Sequence, residues 1–223
     1  MQNILPTLDL NAAARLDFTA ANPRLATADL RDTAAFDRLV QEMLAAQGAT
    51  VGIGGYLENR VIYRRSPHFD DPTTARTLHL GVDVWAAAGT PVAAPWPATV
   101  HSLADSNNFG DYGPTVVLAH AAADLPAGLA HPGAPLYSLY GHLARREWAA
   151  LRPGQALAAG EVFATIGPYP ENGDWPPHLH FQLIRDMQGR VGDFPGVAQV
   201  PERAHWAALC PDPNLVLRCP VLA

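Results

Sequence analysis

Two histidines, His178 and His180, form an H-x-H pair within the segment PPHLHFQLI. The apolar run Phe181–Ile184 predicts a β-strand, and residues i and i+2 of a strand point to the same face. Two imidazoles would then project side by side from a rigid element into one cavity. Taken alone, the pair could equally be two half-exposed histidines on the face of a sheet.

A second pair, His79 and Asp83, forms H-x-x-x-D within TLHLGVDVWA. A separation of four residues puts both side chains on one face of either a strand or a helix. Gly81 lies between them on that face and has no side chain, which leaves room for an ion. Imidazole and carboxylate groups are suitable Zn²⁺ ligands at about 2.0–2.2 Å, although this spacing is common by chance.

A third segment adds His142, which follows the aromatic stretch LYSLYG and, alone, would be interpreted as a capping or packing residue. Three protein ligands with one open position are typical of catalytic zinc sites. The two further histidines would supply acid–base or electrophilic groups. The remaining histidines lack such spacing and are expected to be surface or packing residues: His68, His101, His120, His131 and His205.

Short strands separated by turn signals must position these side chains. Strands are predicted at Thr50–Ile53, Arg60–Tyr63, TLHLGVDVWA, TPVAAP, ATVHSLAD, PTVVLAH, LYSLYGHL, QALAAGEVFATIG and HLHFQLI, with clusters of Gly, Pro and Asn between many of them. Polar residues 65–76 and residues 121–135 predict loops. No helix alternates with a strand, which argues against a doubly wound sheet and favours a mainly antiparallel β fold with helical pieces at its ends.

Residues 1–47 are expected to form an N-terminal arm, and residues 48–223 a β domain. One amphipathic helix is predicted in the arm, because apolar residues recur at helical spacing: Phe36, Leu39, Val40, Met43 and Leu44. Asp32 or Thr33 can cap its start and Gly48 can end it. Short helical segments are expected at Arg145–Leu151 and at residues 201–209.

Composition excludes several classes of function. The 223 residues are 48% hydrophobic and 16% charged, which suits a packed domain rather than a disordered chain. A formal charge of -6 argues against nucleic-acid or anionic-membrane binding. All 15 basic residues are arginine, so no Schiff base, no lipoyl or biotinyl attachment and no P-loop lysine can form.

The chain has no apolar run long enough for a membrane-spanning helix. Its first residues lack the basic leader and apolar stretch of a secretory signal, so a chain that begins here would stay in the cytoplasm. A chain trimmed from a longer precursor would be compatible with a periplasmic or extracellular location. Cys210 and Cys219 are expected to be two unpaired packing thiols rather than a disulfide.

The segments HLGVD, YGHL and HLH, in this order, resemble the motif set of the lysostaphin/LytM-type zinc metallopeptidases. The resemblance covers about residues 77–184 and includes GTPVAAPWPATV and GQALAAGEVFATIG. Outside these motifs, VGIGGYLENRVIY, ENGDWPPHLHFQ, GDFPGVA and CPDPN resemble a subgroup that forms the middle domain of some class-III aminotransferase-like fusion proteins.

The resemblance implies an antiparallel β-sandwich or two-sheet metallopeptidase core with a lipoyl-like topology, an N-terminal helix and a short C-terminal helix. It implies Zn²⁺ held by His79, Asp83 and His180, with His142 and His178 as catalytic residues. The implied function is a zinc-dependent endopeptidase that hydrolyses peptide bonds of peptidoglycan-type peptides through a zinc-activated water. The expected partner is a peptide or a peptidoglycan fragment, with no nucleic acid and no membrane insertion; the oligomeric state is left open.

Two other functions compete with hydrolysis. Strand pairs such as PVAAP and ATV also resemble halves of a biotinyl or lipoyl carrier, but the absence of lysine excludes that role. A non-catalytic module, in which the metal is structural or absent and the groove binds a peptide or cell wall, stays open. Retention of all five motif positions counts against it.

The arm has two possible roles. Its apolar helix stripe must be buried somewhere, either on the β domain as a structural brace or over the groove as a regulatory flap. In a flap, Glu58 or Asn59 could reach a metal. The brace is favoured because apolar helical stripes usually belong to a core.

Overall fold

The computed structural model describes residues 1–66 and 75–223. Within these ranges the strands are β1 (Ala14–Arg15), β2 (Gly52–Gly54), β3 (Leu78–His79), β4 (Val82–Trp85), β5 (Pro91–Ala93), β6 (Ala98–Ser106), β7 (Gly113–His120), β8 (Leu136–Gly141), β9 (Ala156–Leu157), β10 (Val162–Thr165), β11 (His178–Ile184) and β12 (Val197–Ala198). The α-helices are α1 (Arg24–Thr27), α2 (Thr33–Ala45), α3 (Arg145–Trp148), α4 (Arg203–Leu209) and α5 (Asn214–Leu217). Short 3₁₀ turns cover Leu10–Ala12, Ile62–Arg65, Ala122–Asp124, Val200–Glu202 and Pro220–Leu222.

An eight-stranded sheet in the order β1-β2-β4-β11-β8-β7-β6-β9 forms the centre of the fold. Its neighbouring strands are antiparallel except β1 and β2, which are parallel. Two small antiparallel sheets pair β5 with β10 and β3 with β12. The predicted fold class, a mainly antiparallel β structure with an N-terminal helix and a short C-terminal helix, is confirmed.

Three adjacent strands of this sheet carry or precede four of the five candidate side chains, and the fifth, His79, lies on β3 of a small sheet. β11 lies between β4 and β8, and its His180 is directly opposite Asp83 on one side and Gly141 on the other. His178 is opposite Trp85. Because all seven residues of β11 are buried, this strand lies inside the molecule and its two histidines have little freedom to reorient.

Helix α2 buries the predicted apolar stripe. Asp32 caps it by accepting a hydrogen bond from the backbone N–H of Ala35 at 3.1 Å, and Gly48 follows its end with φ +63°. The stripe residues pack with Trp85 and Trp175, which belong to the β part of the chain. The helix prediction is therefore confirmed, and the stripe meets the sheet rather than solvent.

Some local predictions were wrong or fall elsewhere. Arg60–Tyr63 does not form a strand, because the chain turns into the 3₁₀ segment Ile62–Arg65 and buries Ile62, Tyr63 and Arg65 together. Most of the predicted loop at 65–76, with His68, lies outside the described residues. Cys210 and Cys219 are free, buried thiols that pack in separate clusters. In the described ranges, the helices are all too short or too polar to cross a membrane.

Candidate metal centre and catalytic histidines

Three buried side chains converge on one point between β3, β4 and β11. His79 Nε2 lies 3.0 Å from His180 Nδ1 and 3.2 Å from Asp83 Oδ1. His180 Nδ1 lies 3.1 Å from Asp83 Oδ1, which closes the triangle. The structure thus brings together the predicted ligand set of His79, Asp83 and His180, and each residue is at most 3% exposed.

The first imidazole presents a lone pair to this triangle. His79 Nδ1 lies 3.2 Å from the carbonyl oxygen of Gly55. A carbonyl can only accept a hydrogen bond, so Nδ1 carries the hydrogen and Nε2 is left without one. Burial, followed by the Arg60 charge, lowers the pKa of His79 to about 3, which keeps the ring neutral.

The second imidazole is fixed in the other tautomer by Gln182. The Gln182 amide nitrogen donates to the carbonyl of Pro195 at 3.1 Å, so its oxygen must face His180 Nε2, 3.0 Å away. His180 Nε2 therefore carries the hydrogen, and Nδ1 presents its lone pair to the triangle. Gln182 is two residues along the same strand, on the same face as His180.

This donor set fits a tetrahedral divalent metal. Two imidazole lone pairs and a carboxylate oxygen that face one another at 3.0–3.2 Å repel unless a cation lies between them. Ligand atoms about 2.0–2.2 Å from a tetrahedral Zn²⁺ are roughly 3.3–3.6 Å apart, within a few tenths of an ångström of these separations. Hydrogen bonds from the outer ring nitrogens to oxygen acceptors are typical of metal-binding histidines.

A fully buried arginine, which sequence reasoning missed, lies behind the carboxylate. Arg60 bonds through Nη1 to Asp83 Oδ2 and through Nε to Glu58 Oε2 at 2.9 Å. Burial alone would raise the pKa of Asp83, but the charge of the Arg60 guanidinium holds it well below its usual range. Asp83 is therefore a carboxylate with one oxygen on the guanidinium and the other on the triangle.

The two further histidines, His142 and His178, have the same hydrogen-bond arrangement. His178 Nδ1 donates to the carbonyl of Pro176, and His142 Nδ1 to the carbonyl of Asn172, each at 2.8 Å. Both rings therefore keep an Nε2 lone pair. Burial lowers the pKa of His178 to about 4, and burial together with His178 lowers the pKa of His142 well below its usual range. Both are neutral at neutral pH.

These two rings are held firmly beside the triangle. His178 Nε2 lies 4.0 Å from Asp83 Oδ1, and the His142 and His178 ring centres are 4.2 Å apart. His178 stacks on Trp85, with ring centres 4.2 Å apart and planes 16° apart. His142 has a left-handed backbone, φ +62°, fixed by a 2.8 Å hydrogen bond to the carbonyl of Tyr112.

A cavity of about 240 Å³ opens onto Asp83, His142, His178 and His180. Tyr112 and Trp175 line it, and the Tyr112 hydroxyl is 3.4 Å from His180 Nε2. Tyr140 is a core residue that packs against Phe163 and Phe181. The cavity gives a ligand direct access to the triangle and both neutral histidines.

The histidines without a motif lie elsewhere. His120 is buried and bonds to the carbonyl of Pro97 and the hydroxyl of Ser138, which is a packing role. His101 bonds to the adjacent Ser102 hydroxyl, and His205 is exposed on α4. Glu58 and Asn59 do not reach the triangle: Glu58 contacts Arg60, and Asn59 bridges to Leu78.

The model of peptidase family M23 matches residues 77–191, just over half of the chain. The chain belongs to peptidase family M23. The lysostaphin/LytM-type resemblance is confirmed, whereas the aminotransferase-fusion subgroup stays a prediction. No curated protein matches the chain.

Solved M23 structures are similar to part of the chain. A mutant of the catalytic domain of EnpA, a prophage-encoded M23 protein from Enterococcus faecalis, is 21% identical over 61% of this chain and 95% of its own, with a TM-score of 0.37. The catalytic domain of lysostaphin from Staphylococcus simulans is 24% identical over 57% and 80%, with a TM-score of 0.36. A zinc-containing peptidase from Vibrio cholerae is 22% identical over 53% and 31%, with a TM-score of 0.35.

Proposed function

We propose that this M23 protein is a zinc-dependent metalloendopeptidase that hydrolyses peptide bonds of peptidoglycan-type peptides. The observation that carries the proposal is the convergence of five side chains at one end of the cavity. Three of them present lone pairs to a single point, and the two others present neutral imidazole nitrogens beside it. His79, Asp83 and His180 would hold Zn²⁺, and His142 and His178 would be catalytic.

Bound Zn²⁺ would supply Lewis acidity, which polarises a scissile carbonyl and lowers the pKa of water. The chain supplies the proton acceptor. His178 Nε2 lies 4.0 Å from Asp83 Oδ1, and its ring is held by Trp85 and by the carbonyl of Pro176. We assign His178 as the general base for the attacking water.

The second imidazole would act on the other side of the reacting carbonyl. His142 and His178 are too close to be protonated together at low cost, because each charge opposes the other in a buried site. Both rings start neutral, so the pair carries only the proton taken from the attacking water: the ring that holds it would present an N–H to the oxyanion and then pass that proton to the leaving amine, while the other ring stays neutral. We assign the oxyanion side to His142, and an exchange of the two roles would use the same geometry.

A direct test begins with metal content. The full chain, purified without chelators, should contain about one zinc per chain by elemental analysis, and Asp83→Ala should bind it most weakly because it removes the anionic ligand. Digestion of purified muropeptides, followed by mass spectrometry, should show cleaved peptide bonds. If the chain contains no zinc after mild purification and takes up none on soaking, the proposal of a metalloenzyme is wrong.

The same experiment separates the competing function. A full complement of zinc with no hydrolysis of muropeptides or of a peptide library would favour a non-catalytic module that binds peptides or cell wall. Hydrolysis that persists in His178→Ala would point to a contaminating peptidase rather than to this chain.

A further inference from the structure

The segment Gly54–Arg60 contacts the outer atoms of His79 and Asp83, and none of its residues lines the cavity. Arg60 is 0% exposed, and it is not one of the described residues that line the cavity. It cannot contact a substrate, so it is not a catalytic residue. Its guanidinium instead bonds to Asp83 Oδ2, while Asp83 Oδ1 faces His79 and His180.

Local sequence makes room for this guanidinium. A Cβ on Gly54 would lie 2.3 Å from Arg60 Nη2, so only glycine fits beside it. The carbonyl of the next residue, Gly55, accepts from Arg60 Nη2 at 3.5 Å and from His79 Nδ1 at 3.2 Å. One short segment thus holds the outer atoms of two of the three proposed ligands.

Glu58 is a second carboxylate partner of the Arg60 guanidinium. An isolated buried guanidinium is unfavourable, and Glu58 Oε2 pairs with Arg60 Nε at 2.9 Å. Asp83 Oδ2 contacts the same guanidinium through Nη1, and arginine stays charged in proteins. Arg60 is shared between two buried carboxylates, only one of which faces the triangle.

We propose that Arg60, held by Glu58, is a positioning residue that makes Asp83 a one-oxygen ligand of the metal. This rests on the proposed metal site. With Oδ2 engaged, only Oδ1 is available to the ion, so the carboxylate cannot chelate through both oxygens. A single-oxygen contact, with charge drawn toward the guanidinium, leaves the metal a coordination position and a larger effective charge for catalysis.

Cobalt(II) titration of the chelator-stripped full chain tests this without any substrate. Removing Arg60 alone would leave two buried carboxylates without a cation and could prevent folding. The informative variant is therefore the double substitution Glu58→Gln with Arg60→Met, which removes one charge of each sign. We expect it to fold, by circular dichroism, and to bind Co²⁺ about 10–100-fold more weakly. Its d–d absorption should also weaken, because the freed carboxylate raises the coordination number.

Two single variants complete the design. Arg60→Lys keeps the charge but offers a point donor instead of a fork, so it should restore part of the affinity and of the spectrum. Arg15→Met is the matched control, because Arg15 lies 4.0 Å from the same Glu58 but is 56% exposed and does not contact Asp83. It should leave Co²⁺ affinity and absorption unchanged.

The outcomes separate this inference from the proposed function. Wild-type Co²⁺ affinity and spectrum in the folded double variant would overturn the positioning role and leave the metal site intact. A wild-type chain that binds neither Co²⁺ nor Zn²⁺ would overturn both. If the double variant does not fold, Arg60→Lys becomes the deciding variant. A Co²⁺ affinity and absorption spectrum equal to those of the wild type would then contradict the proposal.

Discussion

At the residue scale, hydrogen-bond partners fix which nitrogen of each imidazole presents a lone pair to the proposed site. His79 and His180 use opposite ring nitrogens toward the triangle, because one is held by the Gly55 carbonyl and the other by the Gln182 amide oxygen. His142 and His178 have their Nδ1 hydrogens on backbone carbonyls and keep Nε2 for the cavity. The acceptor behind each ring therefore fixes which nitrogen is left with a lone pair, and the position of the ring relative to the triangle separates a proposed ligand from a proposed base.

This division of roles predicts that His142→Ala and His178→Ala keep the metal but lose hydrolysis. Neither imidazole is part of the triangle, and acid–base groups typically contribute about 10²–10⁴-fold in rate. Zinc content by elemental analysis and muropeptide cleavage rates measure the two properties separately. His205→Ala, an exposed histidine on α4, is the matched control and should change neither.

Loss of zinc together with activity in either variant would show that a ligand has been misassigned. Loss of activity in His205→Ala would show that the assay reports on stability rather than on the site.

The proposed ligands could be predicted from sequence, but their supports could not. Few residue types bind zinc, and strand periodicity places His178 and His180 on one face. The choice of His79, Asp83 and His180 as the ligands rests on the resemblance to the family motifs, since His79 and Asp83 lie on different strands, β3 and β4. Arg60 carries no such signal, since arginine is usually exposed and nothing in its spacing ties it to Asp83, 23 residues further on. The contact of Gln182 with His180 could not be predicted either, because the orientation of the Gln182 amide depends on its hydrogen bond to the carbonyl of Pro195.

At the element scale, the pairing of β11 with both β4 and β8 brings the side chains of separate motifs close together. Antiparallel pairing puts His180 opposite both Asp83 and Gly141, so His142 enters the site from the end of β8. The order of strands in a sheet is not encoded in any one segment. Motif spacing could therefore predict which faces carry the ligands but not that these three strands are neighbours.

Gly81 is necessary for a different reason than the sequence suggested. The space that its missing side chain leaves is filled by the His180 ring, not by an ion: a Cβ there would lie 2.7 Å from His180 Cε1 and Nε2 and from the Phe181 carbonyl. His180 is held by Gln182 and packed in a buried strand, so it cannot move aside freely.

Gly81→Ala should therefore displace His180 and weaken metal binding by at least about tenfold, the low end for disturbing a ligand's support. Competition with a chromophoric chelator measures this. Gly128→Ala is the matched control, because nothing lies within 4 Å of the added Cβ. Equal zinc affinity in the two variants would mean that His180 can move without loss of metal binding. The close contact between Gly81 and His180 would then not matter for the metal site.

At the scale of the whole molecule, the contacts of the N-terminal arm favour the brace over the flap. Phe36 of α2 lies 5.9 Å from Trp85 and 6.2 Å from Trp175, ring centre to ring centre. Trp85 stacks on His178, and Trp175 lies 6.0 Å from His142. Among the described residues, those that line the cavity begin at Ile62, so the described lining contains no residue of the arm, and α2 contacts the two tryptophans that pack on His142 and His178.

Removing this support should cost stability without increasing activity. Deleting residues 1–47 exposes the buried face of Trp85 and Trp175, so the truncated chain should be less soluble and melt at a lower temperature. Phe36→Ala is the milder version in the full chain: truncating a fully buried Phe costs about 3–5 kcal/mol, or a fall of roughly 6–20 °C in melting temperature. Arg38→Ala, exposed on the same helix, should shift it little. Muropeptide cleavage should not speed up in any of them. A truncated chain that stays stable and cleaves faster would show that the arm is a flap, since only a covering segment raises activity when it is removed.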